Sequence, residues 1–155
     1  LYEVQYRAVG DERWRTLRRG LTDAVLAWDT STVPNGRYVL RVLATDAPGN
    51  PQTLALAGSK DSASFEVDNT PPTIAASLEQ QRIRATARDD SPLRRLEISV
   101  DAGRWEDVYP LDGLADSPLE RYEIAPHVSG AGPHVVMLRA TDVLGNAATV
   151  RVDVP

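Results

Sequence analysis

No cysteine occurs among the 155 residues, which excludes disulfides, thiolate metal centres and a thiol nucleophile. Only two histidines are present, His127 and His134, and neither sits in a His-Glu-x-x-His helix or beside a recognisable second ligand. A serine nucleophile elbow and a glycine-rich phosphate loop are also missing. No run approaches the roughly 20 apolar residues of a membrane-spanning helix, so no membrane insertion is expected. The net charge is -5 with both signs interspersed, which leaves no basic tract to follow a phosphate backbone and no expected nucleic-acid partner. Sustained 3.6-residue periodicity is lacking, so almost no helix is expected. No stretch has the layout of a signal peptide, and because the chain opens on Leu1 rather than Met, it is expected to be a piece of a longer protein.

What is present is a repeat. Ala140-Thr141-Asp142-Val143-Leu144-Gly145-Asn146 echoes Ala44-Thr45-Asp46-Ala47-Pro48-Gly49-Asn50, 96 positions earlier. The echo implies one structural unit used twice, so the chain divides into two small modules. A module of this size buries only about 60% of the surface its unfolded chain exposes, which makes neighbours important to its stability. With 42% hydrophobic and 25% charged residues, the composition is that of a globular protein.

Period-two alternation dominates. Tyr2, Val4 and Tyr6 against Glu3, Gln5 and Arg7, then Trp14 and Leu17 after a Gly10-Asp11 turn, predict a hairpin over residues 2–18. Val25 to Trp28 reads as a short strand, and Tyr38 to Thr45 as the best strand of the first half. Pro48-Gly49-Asn50-Pro51 opens a loop expected to run through Gln52 to Ser62, before a closing strand at Phe65 and Val67. Asn69-Thr70-Pro71-Pro72 is stiff and extended, because two prolines fix φ and remove backbone donors. It separates a module over residues 1–69 from one over residues 70–155. The second half reads as strands at 73–78, 82–88, 96–100, 105–109, 122–124, 134–140 and 148–154.

Aligned copy on copy, the Leu96 strand of the second half corresponds to the Tyr2 strand, Trp105 to Trp14, Tyr122 or Ile124 to Trp28, and His134 to Tyr38. The second copy has two strands before Leu96, whereas the first begins directly at Tyr2. The first module is therefore expected to lack its opening strands, leaving apolar surface or an unpaired edge. An upstream domain of the same polypeptide, or a neighbouring chain, is expected to fill the gap.

Tyr2-x-Val4-x-Tyr6-Arg7 with Trp14, Val33-Pro34-Asn35-Gly36-Arg37-Tyr38 and Val42-x-Ala44-x-Asp46-x-x-Gly49-Asn50 together resemble the fibronectin type III and bacterial Ig-like superfamily. That resemblance implies an all-β fold of two tandem Ig-like sandwiches, the first incomplete. It places Tyr38 at a tyrosine corner, its hydroxyl bonded back to nearby backbone, with His134 in that place in the second copy. The Val67 to Pro72 joint is similar to joints in large exported bacterial proteins. The resemblance thus implies an extracytoplasmic setting, periplasmic, cell-surface or secreted, and a fold rather than an activity.

Several clusters invite a chemical reading. Asp46 or Asp142, with Asp68, Asn69, Asp89 or Asp90, could offer oxygens to calcium, but a hard cation needs about six to eight of them. The preferred role is an Asx-turn at a strand end, with Gly and Asn accepting the left-handed conformation. Adjacent acids at Asp89-Asp90 and Glu106-Asp107 have the residue types of a glycosidase pair but read as solvated turn formers. Trp14, Trp28, Trp105, Tyr109 and Tyr122 could form a sugar-stacking platform, against the plainer role of filling the core or covering the hairpins. No catalytic, cofactor-binding or metal residues are assigned and no cofactor is expected. The expected function is a non-catalytic spacer or protein-interaction module, with a carbohydrate-binding accessory module, and hence a polysaccharide partner, as the alternative.

Overall fold

The alternation that begins at Tyr2 is realised as strand β1 (Tyr2–Ala8) in the computed structural model, which describes all 155 residues. Eleven more strands follow: β2 (Arg15–Leu21), β3 (Gly36–Thr45), β4 (Ala57–Asp61), β5 (Phe65–Val67), β6 (Thr73–Glu79), β7 (Arg82–Arg88), β8 (Leu93–Val100), β9 (Glu106–Val108), β10 (Leu119–Ile124), β11 (His134–Asp142) and β12 (Ala147–Val154). The only helical pieces are 3-10 turns at Thr30–Thr32 and Ala47–Gly49. The chain is all-β, with antiparallel sheets, in two units, Leu1–Asn69 and Thr70–Pro155.

In the second unit two sheets enclose one core. The three-stranded sheet runs β10-β7-β6 and the four-stranded sheet β12-β11-β8-β9. The pleat sends alternate residues inward: Ile83, Ala85 and Ala87 from β7, Tyr122 and Ile124 from β10, Leu96 and Ile98 from β8, and Val136, Leu138 and Ala140 from β11 are all buried. Each fully buried Leu or Ile contributes on the order of 1.5 to 3 kcal/mol. The β6–β7 hairpin turns at Gln80 and Gln81, both at positive φ, the geometry of a two-residue turn whose twist matches the strands it joins.

The first unit has one sheet, ordered β2-β1-β3-β4, with β5 pairing the Gly36–Tyr38 end of β3 beyond β4. Its registers match those of the four-stranded sheet in the second unit. Val4 faces Val42 and Tyr2 faces Ala44, as Ile98 faces Leu138 and Leu96 faces Ala140. No counterpart of β6, β7 or β10 is present. On the face that carries Tyr2, Val4, Leu40 and Val42, one end is closed by an aromatic cluster in which Trp28 lies 4.9 Å from Tyr6, 6.2 Å from Tyr38 and 6.2 Å from Phe65.

Two strand expectations are corrected. Val25 to Trp28 is not a strand. Its counterpart β10 pairs with β7, and the first unit has no strand in β7's place, so the segment has no ladder to join. Conversely, β4 lies inside what reads as loop over 52–62. Ala57-Gly58-Ser59-Lys60-Asp61 carries no apolar alternation because every residue of this edge strand is exposed. It is held instead by five registered pairs with β3 and by a two-pronged ion pair from Arg41 to Asp61 at 2.7 and 2.8 Å.

The Tyr38 hydroxyl donates to the Pro34 carbonyl at 2.8 Å, closing the Pro34-Asn35-Gly36 turn against β3. Asn69 continues the closure, its side-chain amide donating to the carbonyls of Thr30 and Val33. Tyr122 is the opposite case: it is 2% exposed and its hydroxyl meets no hydrogen-bond partner. Burial first, then the nearby charges of Glu120 and Asp112, push its pKa up to about 12. A buried donor that is bonded stabilises, and one that is not costs its desolvation. Tyr38→Phe is therefore expected to destabilise the first unit by about 1 kcal/mol, while Tyr122→Phe leaves the second unit unchanged or slightly stabilised. Urea unfolding of the two variants, followed by signals assigned to each unit, checks the contrast.

Candidate interaction surface

The echoed strings build different structures, and one amide explains why. In the second unit, Asp142 is fully buried at the end of β11. Its carboxylate accepts N–H bonds from Leu144 at 2.8 Å and Asn146 at 2.8 Å, and a third from the Asn146 side chain at 2.7 Å. Gly145 at φ +96° completes this Asx-turn, a conformation that glycine adopts without the steric cost a Cβ brings. In the first unit the residue matching Leu144 is Pro48, which has no N–H to give. The carboxylate of Asp46 is taken instead by the Leu56 amide at 2.6 Å, and the chain makes a 3-10 turn at Ala47–Gly49. The turn role is thus realised at Asp142 and displaced at Asp46.

The other acids named for cation binding have protein partners. Asp68 accepts from the Asn35 side chain, Asn69 is engaged with Thr30 and Val33, and Asp89 accepts from the Ser91 amide; Asp90 is exposed. In the second unit Asp89 and Asp142 bring carboxylate oxygens within 4.8 Å of one another, fewer ligands than a hard cation takes. Glu106 and Asp107 lie exposed on β9, Glu106 against Arg104. His127 is exposed in a loop, while His134 is buried with its Nδ1 2.6 Å from the Asp101 carboxylate. That contact first, then the Val135 amide, holds the Asp101 carboxyl below the usual range.

The five aromatics divide among unrelated environments. Trp14 lies on the outer face of the first sheet, with the guanidinium groups of Arg7 and Arg41 at 4.8 and 4.1 Å from its ring centroid. Trp105 is covered the same way by Arg139 at 4.2 Å, and Arg139 is itself fixed by two bonds to Glu97 at 2.9 and 3.0 Å. Trp28 belongs to the inner cluster and Tyr122 to the core, and Tyr109, 75% exposed, stands alone. Neither unit presents a row of exposed rings. Arg7, Arg41 and Arg139 escaped the sequence reading. Trp14 and Trp105 lie just before β2 and β9, outside the ladders, so strand alternation carried no signal for these pairings.

The surface that stands out is the inner face of the first sheet. Tyr2 is 38% and Val42 39% exposed, against 0% for both counterparts, Leu96 and Leu138. Two concavities lie on it. One of about 340 Å³ lies under Leu26 and Trp28, and one of about 560 Å³ lies between Leu40, Val42 and Ala44 and the neighbouring β4. Its margins carry charge. Arg15 stands opposite Tyr6, Arg18 opposite Val4 and Lys60 opposite Val42. All three are exposed, and none forms an ion pair.

Three substitutions test these turns and pairs. Asp142→Ala, which strips three part-buried N–H groups of their acceptor, is expected to destabilise the second unit by about 2 to 4 kcal/mol. Asp46→Ala is expected to cost the first unit about 1 kcal/mol or less, because its carboxylate is exposed and accepts a single bond; thermal melts with and without EDTA are expected to coincide for both variants and for the parent. For Glu97, the bonds from Arg139 dominate and hold its carboxyl below the usual range. A depressed folded-state pKa contributes stability above the unfolded value, near 4.3, and that stability is lost as pH falls through the folded value. Glu97→Gln is therefore expected to be less stable than the parent at pH 7 and to have a flatter stability profile between about pH 4.5 and pH 2, read by urea unfolding at each pH.

No protein-family model matches the chain. Among curated proteins none matches it either.

Proposed function

We propose that the chain is a tandem pair of Ig-like or fibronectin type III-like modules, the first incomplete, acting as a non-catalytic spacer or protein-interaction segment of a larger extracytoplasmic bacterial protein. The observation that carries the reading is the open apolar face of the first sheet. Side chains at Tyr2 and Val42 take positions that in the second unit are sealed by an opposing sheet. Exposed contiguous apolar surface on a small β module marks a place where something packs.

Two further features support it. The hydroxyl of Tyr38 returns to the Pro34 carbonyl, the bond that a tyrosine corner makes. Of the acids that a hydrolase reading would recruit, Asp89 accepts from the Ser91 amide and Glu106 pairs with Arg104, while Asp90 and Asp107 are exposed.

A carbohydrate-binding role needs rings stacked side by side on one exposed face, and Trp14 and Trp105 are occupied by arginine. Tyr109 is the ring left free for such a role. Tryptophan fluorescence and calorimetry against a panel of soluble oligosaccharides are expected to show no saturable response. A response abolished by Tyr109→Ala would move the assignment to the carbohydrate-binding reading. A hydrolase activity lost on substitution of one acid would move it to an enzyme.

A further inference from the structure

We infer that the chain binds a second copy of itself edge to edge, strand β2 of one copy pairing antiparallel with strand β9 of the other. The surfaces involved are strand edges, separate from the open apolar face on which the proposed function rests. Strand β2 ends the first sheet and β9 ends the four-stranded sheet. Each leaves one side of its backbone without a ladder, and such an edge is a template for another strand.

Charge selects these two edges among those the molecule has. Along β2 stand Arg15, Arg18 and Arg19 with no acid, while β9 holds Glu106 and Asp107 with no base. The other edges are mixed, internally paired or nearly neutral. Lys60 is followed by Asp61 on β4, and Arg151 pairs with Asp153 on β12. The acids Glu79 of β6 and Glu123 of β10 are taken by arginines of β7, and β5 holds the single acid Glu66. Arg15, Arg18 and Asp107 are exposed and form no ion pair. Arg19 and Glu106 make only exposed pairs, with Glu3 at 3.3 Å and Arg104 at 3.4 Å, and such pairs exchange at little cost.

The pleat puts these charges where a joined sheet can match them. Arg18 stands opposite Val4, and its neighbour Arg19 reaches Glu3 on the other face. Glu106 stands opposite Ile98 and Asp107 opposite Glu97, again on opposite faces. In an antiparallel joint Arg18 meets Asp107 on one face while Arg19 meets Glu106 on the other. Directly opposite residues stand about 4.5 to 5.5 Å apart at Cβ, within reach of an ion pair. Two β2 edges would crowd arginine on arginine, and two β9 edges acid on acid, which disfavours both. Each edge is thus guarded against its own kind and open to the other. Because the two surfaces differ, the contact is head to tail. It closes as a two-fold dimer with two such joints or as a larger ring, or it runs on as an open chain.

The test is sedimentation velocity of the intact chain over about 0.01 to 1 mM. The parent is expected to associate reversibly, at least about tenfold more weakly when salt rises from about 0.05 to 0.5 M. Arg18→Glu with Arg19→Glu leaves acids at the joint on both edges, and Glu106→Arg with Asp107→Arg leaves bases on both. Each double variant alone is expected to stay monomeric. An equimolar mixture of the two sets an acidic β2 against a basic β9 and the reverse, and is expected to recover the parent's association. Recovery on mixing separates charge pairing from misfolding, because neither variant is repaired. A parent that is monomeric throughout, or a mixture that stays monomeric, would overturn the inference. So would variants that associate as the parent does; that association would belong to the open apolar face, removing the edge joint and leaving the proposed interaction role standing.

Discussion

In both units a long central strand, β3 or β11, is hydrogen-bonded on one side to a hairpin, β1–β2 or β8–β9, and the rest of the structure follows from which face of that ladder finds cover. Backbone pairing settles the N–H and C=O groups regardless of side chains, but it leaves each sheet with an apolar face that must be sealed. The second unit seals it with β6, β7 and β10. The first closes only one end, with Trp28, Tyr6, Tyr38 and Phe65, and leaves Tyr2 and Val42 open. The missing strand at Val25–Trp28 is a consequence of the same constraint, since a strand cannot form without a neighbour to pair with.

Much of this was legible in the sequence because the constraint writes itself into period-two alternation. Wherever one face was buried and the other more exposed, as along Arg82–Arg88 and His134–Ala140, the pattern located the strand. The echo between Asp46 and Asp142 led to the repeat, and the repeat showed which strands the first copy lacks. Illegible parts were those in which alternation carries no information. Strand β4 buries nothing, so its residues look like loop. On β10 the exposed Leu119 and the buried Glu120 invert the expected polarity, because the Glu120 carboxylate bonds the Asp116 and Ser117 amides. The His134–Asp101 contact joins residues 33 apart, and no local pattern announces it. Pro48 was visible, but its effect on Asp46 required knowing that the amide it removes is the one the carboxylate uses at Asp142.

The functional reading inherits this logic. Buried acids that suggested chemistry are satisfied by nearby backbone, and of the tryptophans that suggested sugar stacking Trp14 and Trp105 are covered by guanidinium groups while Trp28 packs in the inner aromatic cluster. What remains uncovered is an apolar face whose margins carry Arg15, Arg18 and Lys60 together with Asp23 and Asp61. The function is therefore sought in what packs on that face rather than in a reaction centre.

The central claim, that two matched sheets differ in having and lacking cover, is tested most directly by amide hydrogen exchange across the intact chain. Protection within a stable element rises with the free energy of the unit that must open to expose it. Amides of β8 and β11 around Ile98 and Leu138 are expected to exchange at least about tenfold more slowly than those of β1 and β3 around Val4 and Val42. Equal protection in the two sheets, or slower exchange in the first, would contradict the account.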